Sequence, residues 1–293
     1  MSFTLPFYRQ DDQLPGPLPT QFEIRTAKKL VPDFGGSVVV VRDLYVVKYG
    51  TFLTDNEGFA LLFIEDRLSI PAPRLHAMYW EGGRLYIVMD YISGKTLGKV
   101  WPSLSKANKS SLIDELHAIF AHIRSLPAPG FFGSIANGPV AHEYFYTQEG
   151  CREIEGPFEN QAAFNKALAL FASDVGNPWT AEFFLRHLHS SPLEGDKAVF
   201  THGDLYRENI LVKQVNDIAA AIPEYQIAAI IDWETAGWYP AYWEYAIIYP
   251  VFRWNDDWPA AVKAILSPWP EEALLLKFLH LKTRSYMVTV QDT

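Results

Sequence analysis

Thr201-His202-Gly203-Asp204-Leu205-Tyr206-Arg207-Glu208-Asn209-Ile210-Leu211-Val212 is the stretch on which the reading of this chain turns. Its end, Ile210-Leu211-Val212, has the apolar, β-branched texture of a buried strand. Ahead of it two short polar side chains, Asp204 and Asn209, stand in a turn-like segment. Such a pair has an ordinary explanation, because Asp and Asn hydrogen-bond local backbone and favour turns. It also has a chemical one. A carboxylate can take a hydroxyl proton, and an amide oxygen suits a hard cation. The neighbouring segments decide between the two.

Downstream, Ile230-Ile231-Asp232-Trp233-Glu234 reads as an apolar strand that delivers a carboxylate 23 residues after Asn209. Upstream, Val46-Val47-Lys48 is a strand ending in lysine, and Glu57 follows nine positions later on a predicted helix. Taken singly, a strand-end lysine is solvated, a helix glutamate is exposed and a strand-end aspartate is unremarkable. Taken together, Lys48, Glu57, Asp204, Asn209 and Asp232 supply what phosphoryl transfer needs: a held nucleotide, neutralised phosphates and a carboxylate aimed at the attacking hydroxyl. The spacing Asp204-Leu205-x-x-x-Asn209 matches the kinase catalytic loop, with Gly203 where protein kinases carry arginine. Asp204 is expected to orient the acceptor hydroxyl, and Asn209 and Asp232 to hold Mg²⁺. Lys48 is expected to hold the ATP phosphates, with Glu57 keeping it extended. Glu234 reads as a cap on the following turn, the alternative being assistance to the metal through water.

Around these segments the pattern changes once. Up to Met89 it is strand-rich: a helix over 21–30, a hairpin over 37–49 turning at Arg42-Asp43, a helix over 55–65 capped by Thr54 or Asp55, and strands over 75–80 and 85–89 joined at Glu81-Gly82-Gly83. Beyond Ser93-Gly94 helical spacing dominates. Helices are expected over 110–125, 161–172, 181–189 and 274–287, with 130–160 as a long surface loop.

Composition narrows the function classes. The chain has 293 residues, 49% hydrophobic and 20% charged, as in folded globular proteins. A net charge of −9 argues against a nucleic-acid backbone binder, which needs a basic footprint. Cys151 is the single cysteine, so no internal disulfide forms, in keeping with a reducing compartment. The segment from Met1 to Asp12 lacks the basic and apolar regions of a secretory signal, and no apolar run is long enough for a membrane span. A cytoplasmic enzyme with no nucleic-acid or membrane partner is expected.

The segments His202 to Asn209 and Ile231-Asp232-Trp233-Glu234, followed by Ala236-Gly237-Trp238-Tyr239-Pro240 and Tyr242-Trp243-Glu244-Tyr245, resemble the aminoglycoside phosphotransferase-related kinase family. The resemblance extends through Lys48, Glu57, the linker-like Tyr86 to Gly94 and Trp101-Pro102-Ser103-Leu104, and so covers most of the chain. It implies an α+β, protein-kinase-like two-lobe fold, with a small β-rich N-lobe carrying one helix (1–92) and a larger, mainly helical C-lobe (93–293). It also implies that backbone near Asp90 and Ile92 meets the adenine of ATP and that His202 buttresses the catalytic loop. The expected partner is a small-molecule hydroxyl acceptor. The chain departs from protein kinases in three places. No Gly-x-Gly-x-x-Gly precedes Lys48, where only Gly35-Gly36-Ser37 offers a phosphate-covering turn; Trp233 follows Asp232; and no Ala-Pro-Glu segment follows. Protein substrates are thereby disfavoured, while a nucleotide-binding module without transferase activity stays open. Asp256-Asp257 beside Trp254 and Trp258 reads as a solvated loop with packed indoles, the alternative being an acidic rim for a cationic substrate.

Overall fold

The computed structural model describes residues 4–30, 36–147, 150–174, 179, 182–183, 186–187, 197–216, 223–251 and 256–291. In chain order the principal elements are β1 (Phe7–Tyr8), α1 (Gln21–Thr26), β2 (Lys28–Lys29), β3 (Gly36–Val41), β4 (Tyr45–Gly50), α2 (Asn56–Arg67), β5 (Leu75–Glu81), β6 (Arg84–Asp90), β7 (Lys95–Thr96), α3 (Leu97–Val100), α4 (Lys106–Arg124), β8 (Gly133–Ser134), α5 (Arg152–Glu155), α6 (Gln161–Asp174), β9 (Val199–Thr201), β10 (Ile210–Gln214), β11 (Tyr225–Ile230), β12 (Gly237–Tyr239), α7 (Trp243–Ile248), α8 (Trp258–Ile265) and α9 (Pro270–Gln291). They form two compact units: residues 1–104 with 207–234, and residues 105–206 with 235–293. The expected boundary at 92/93 falls inside the first unit, which also takes in β10 and β11.

The first unit is built on an antiparallel sheet in the order β1-β5-β6-β4-β3-β2. Arg42 and Asp43 turn the β3–β4 hairpin with φ of 58° and 53°, the left-handed pair that matches strand twist. Along β4 the side chains alternate. Tyr45, Val47 and Tyr49 pack with Val39, Val41, Val88 and Ile24 of α1 into one core, so Val46 and Lys48 fall on the other face. Near that region α2 approaches β5 closely: a Cβ on Gly58 would lie 2.3 Å from Met78 Sδ. Helix α1 is shorter than the 21–30 expected. A Thr20–Glu23 capping box starts it, but Lys28 and Lys29 pair with Val40 and Val39 as an edge strand, where lysine is well suited to block further pairing. The anticipated cap of α2 also differs, since Asp55 makes no side-chain cap bond. A smaller sheet, β11-β10-β7, completes this unit. Gly94 lets β7 pass β10, because a Cβ there would sit 2.9 Å from the Val212 carbonyl oxygen.

The second unit holds the helices and the sheet β8-β12-β9. Residues 130–160 are not the surface loop expected. They contain β8 and α5, and Phe132, Val140, Tyr144, Phe145 and Phe158 are all buried. The aromatic side chains that break helical periodicity there serve the core. Phe145 and Phe164 lie 5.7 and 5.3 Å from Trp243, and Tyr239 stacks on its indole at 5.3 Å. Every residue of α7 is buried, as expected of a helix apolar on nearly all sides. Truncating such a ring costs about 3–5 kcal/mol. Asp256 accepts from the Trp258 backbone N–H at 3.0 Å, Asp257 pairs with Lys109 at 2.7 Å, and Trp258 is buried. The two acids are exposed beside a packed indole at Trp258, while Trp254 lies outside the described residues. Helix α9 covers the expected 274–287 helix, whereas most of 181–189 lies outside the described residues. No helix among the described residues is long and apolar enough to cross a membrane.

Candidate active site

Lys48 stands on β4, between β3 and β6, a rigid position in the sheet. Its ammonium lies 2.8 Å from both oxygens of Glu57 and 2.5 Å from Asp232 Oδ1. Glu57 is brought there by the first turn of α2 and is 1% exposed. Burial disfavours the Lys48 ammonium, yet Glu57 and Asp232, with Glu234 beyond, hold its pKa above the ordinary lysine value. Burial pushes the Glu57 carboxyl up to about 7 against the pull of Lys48, and Asp232 and Glu234 push it the same way. The result is one held cation facing more than one anion, an arrangement ready to take another positive charge.

Asn209 and Asp232 meet through strand register. Ile210 pairs with Ile230, which places Asn209 opposite Ile231, and the Ile231 N–H donates to the Asn209 carbonyl at 2.9 Å. Asn209 and Asp232 thus sit at one end of the β10–β11 hairpin. Asp232 has φ of 67°, a left-handed conformation uncommon for a residue other than glycine. Such outliers cluster at functional sites. Glu57, Asp232 and Glu234 each offer a carboxylate oxygen, all within 4.8 Å of one another. Glu234 joins the acidic group, while its backbone carbonyl accepts from Asn56 Nδ2 at 2.8 Å. This all-oxygen donor set is the type a hard dication takes.

The linker residues fall at the end of β6. Asp90 donates its N–H to the Arg74 carbonyl at 3.1 Å, and the Tyr91 N–H goes to the Leu44 carbonyl at 2.9 Å. The Asp90 carboxylate accepts from the Arg74 N–H at 3.0 Å and contacts His76 Nε2 at 2.5 Å. Ile92 follows, half-buried. Gly36 and Ser37 belong to β3, paired with Gly50 and Tyr49. They are strand rather than turn, and Gly35 lies outside the described residues.

Asp204 belongs to the second unit, in the loop that leaves β9. The loop is held from below by a buried carboxylate. Glu244, 1% exposed, accepts from the His202 N–H at 2.7 Å and from the Gly203 N–H at 3.2 Å. His202 Nδ1 in turn accepts from the Asp204 N–H at 3.1 Å, and Thr235 Oγ1 donates to the His202 carbonyl at 2.9 Å. Gly203 has φ of 84°, and a Cβ there would meet Thr235 at 2.9 Å, so both backbone shape and space demand glycine. Burial pushes Glu244 up to about 7, opposed by Arg124 and the two peptide N–H groups, with Asp204 acting in the same sense as burial. Arg124 is itself half-buried and donates to the Ala241 carbonyl at 2.5 Å. The buttress anticipated at His202 is thus present, and behind it stands Glu244.

The first unit thus carries a strand-borne lysine paired to a helix glutamate and a hairpin end with amide and carboxylate oxygens, and the second carries a peptide-anchored aspartate loop. The phosphotransferase enzyme family matches residues 55–271. The chain belongs to that family. Among solved structures, a ternary complex of streptomycin, ATP and APH(2")-IIa is similar over 90% of this chain and 83% of the other, at 14% identity and a TM-score of 0.51. That similarity shows the α+β, protein-kinase-like two-lobe fold. No curated protein matches the chain by sequence. Family membership makes it a phosphotransferase.

Two buried, hydrogen-bonded residues were missed in the sequence, Glu244 and His76. Glu244 was quoted only as part of a resembling segment, although a carboxylate inside an otherwise apolar, aromatic helix is itself a signal that something nearby needs an acceptor. His76 carried no signal at all in strand periodicity.

Proposed function

We propose that this phosphotransferase moves the γ-phosphoryl group of ATP to a hydroxyl of a small molecule. Lys48 holds the α- and β-phosphates, and Glu57 keeps its ammonium extended. The acceptor oxygen forms a bond to the γ-phosphorus as the bond to the ADP oxygen breaks, and Asp204 takes the hydroxyl proton. The oxygen set of Asn209 and Asp232 fits Mg²⁺, which when bound supplies charge neutralisation at the phosphates. Since the Asp90 and Tyr91 N–H groups are already engaged in the sheet, a base-facing N–H on the linker falls to Ile92, with Asp90 contributing its carbonyl. The observation that carries this reading is the Lys48 ammonium poised between Glu57 and Asp232: a cation on a rigid strand, beside surplus carboxylate, is what a metal-bound polyphosphate completes.

The test is coupled ADP release over a panel of amino alcohols, choline-like alcohols, sugars and aminoglycosides, run beside Asp204→Ala. Turnover with one acceptor class, falling about a thousandfold in the variant while Mg·ATP affinity holds, is the expected result. Tight Mg·ATP binding with no turnover on any acceptor and indifference to Asp204→Ala would point instead to a nucleotide-binding module. Loss of both binding and turnover would sink the kinase reading.

A further inference from the structure

Strand β5 does not run evenly against β6. Leu75 pairs with Met89 and Ala77 with Val88, so His76 is the extra residue of a bulge. A bulge re-aims the side chain it carries and recurs beside active sites. Here it is braced from outside: the Arg9 N–H donates to the His76 carbonyl at 2.8 Å, and Arg9 Nε donates to the Leu75 carbonyl at 2.8 Å. The imidazole is 1% exposed and meets the Tyr45 ring edge-on at 5.4 Å. Its Nε2 lies 2.5 Å from Asp90 Oδ1. A carboxylate only accepts, so Nε2–H is the donor.

Asp90 is the last residue of β6 and the first of the linker. Its carboxylate takes one bond from His76 and one from the Arg74 peptide, while its N–H returns to the Arg74 carbonyl. A buried polar side chain in a strand core is costly unless its hydrogen bond is made. An apolar residue would fill this space at lower cost, so the expense needs a return. Among the described residues, the imidazole's hydrogen-bond partner is Asp90, whose peptide starts the linker.

We infer that His76 is a positioning residue that sets the Asp90–Ile92 backbone for the nucleotide base. This rests on the reading that the base meets that linker. The hydrogen bond fixes the plane of the Asp90 peptide, and hence the direction of its carbonyl and of the Ile92 N–H two residues on. Phosphate contacts, made by Lys48 elsewhere in the unit, do not depend on it.

Calorimetric titration with Mg·ATP and with Mg·tripolyphosphate, which has the phosphates and no base, separates these effects. His76→Leu is expected to weaken Mg·ATP about tenfold, the worth of a hydrogen bond to a charged group, with Mg·tripolyphosphate affinity unchanged. His76→Gln, whose amide N–H can replace Nε2–H, is expected to recover most of the loss. If His76→Leu does not fold, Asp90→Asn carries the same test, with a smaller loss again confined to Mg·ATP. Equal weakening of both ligands, or no weakening of Mg·ATP, would overturn the assignment while leaving the kinase reading intact. Failure of the unaltered protein to bind Mg·ATP at all would remove the base-at-linker reading and this inference with it.

Discussion

Glu57 and Glu244 are both 1% exposed, and burial pushes each carboxyl up to about 7, yet they are spent differently. Glu57 faces a side-chain ammonium, a partner that a phosphate can share. Glu244 faces the peptide N–H groups of His202 and Gly203, partners that leave only if the loop changes shape. Two acids in similar surroundings thus give one adjustable contact and one fixed one. What separates them is the mobility of the partner rather than burial or charge. The first unit keeps its charges among side chains where a ligand can join them, and the second uses its acid as scaffold.

The sharpest way to break this contrast is to remove each acid. Glu244→Ala leaves the His202 and Gly203 N–H groups without their acceptor, and is expected to lower unfolding free energy by about 3 kcal/mol in denaturant titrations. If the variant unfolds at the wild-type midpoint, Glu244 is no scaffold. Glu57→Ala is expected to act mainly on nucleotide. Lys48 still has Asp232, so KM for ATP should rise about tenfold with a melting temperature close to wild type. A large loss of stability there would erase the distinction between the two sites.

A pH series sharpens the same comparison more gently. Folding raises the Glu244 pKa from its ordinary 4.5 to about 7, so the folded state favours the protonated acid. That stabilisation is complete below about 4.5 and disappears as pH rises through 7, with a slope up to about 1.4 kcal/mol per pH unit for one proton. Glu244→Gln should flatten the melting-temperature profile between pH 5 and 8. An unchanged slope would assign the dependence elsewhere. The smallest effect is expected at Asp257, whose ion pair with Lys109 is half-exposed. Asp257→Asn should cost at most about 0.5 kcal/mol and leave acceptor KM unchanged. A rise in KM would restore the acidic rim as a substrate contact.

Much of this could be read before any coordinates. Lys48, Glu57, Asn209 and Asp232 were each visible because strand texture and spacing mark where a side chain leaves a sheet, and the structure brings Lys48, Glu57 and Asp232 into contact although 184 positions separate Lys48 from Asp232. The hairpin turn at Arg42-Asp43 was legible for the same reason, since turn chemistry is local. Residues 130–160 were not, because glycine and proline there mask aromatic side chains whose burial is decided by α6 and α7. His76 was invisible in principle: a bulge shifts the face a side chain points to, and no period-two pattern reports a single extra residue. The place of Glu234 beside Glu57 was not legible, because the two lie far apart in sequence.

The pairing of β7 with β10, and the bond from the Ile230 N–H to the Pro71 carbonyl, also bear on how the protein is made. The first unit takes its last strands from residues 207–234, so a nascent chain that has released only its first hundred residues cannot finish it. The edge that β10 covers, and the position that Asp232 fills beside Lys48, stay open while the intervening segment of the second unit emerges. Domains that fold as they leave the ribosome in order of synthesis avoid such a wait. Here Lys48 is translated early and acquires its second carboxylate, Asp232, late, and expression of residues 1–104 alone should yield an aggregating fragment rather than a small folded domain.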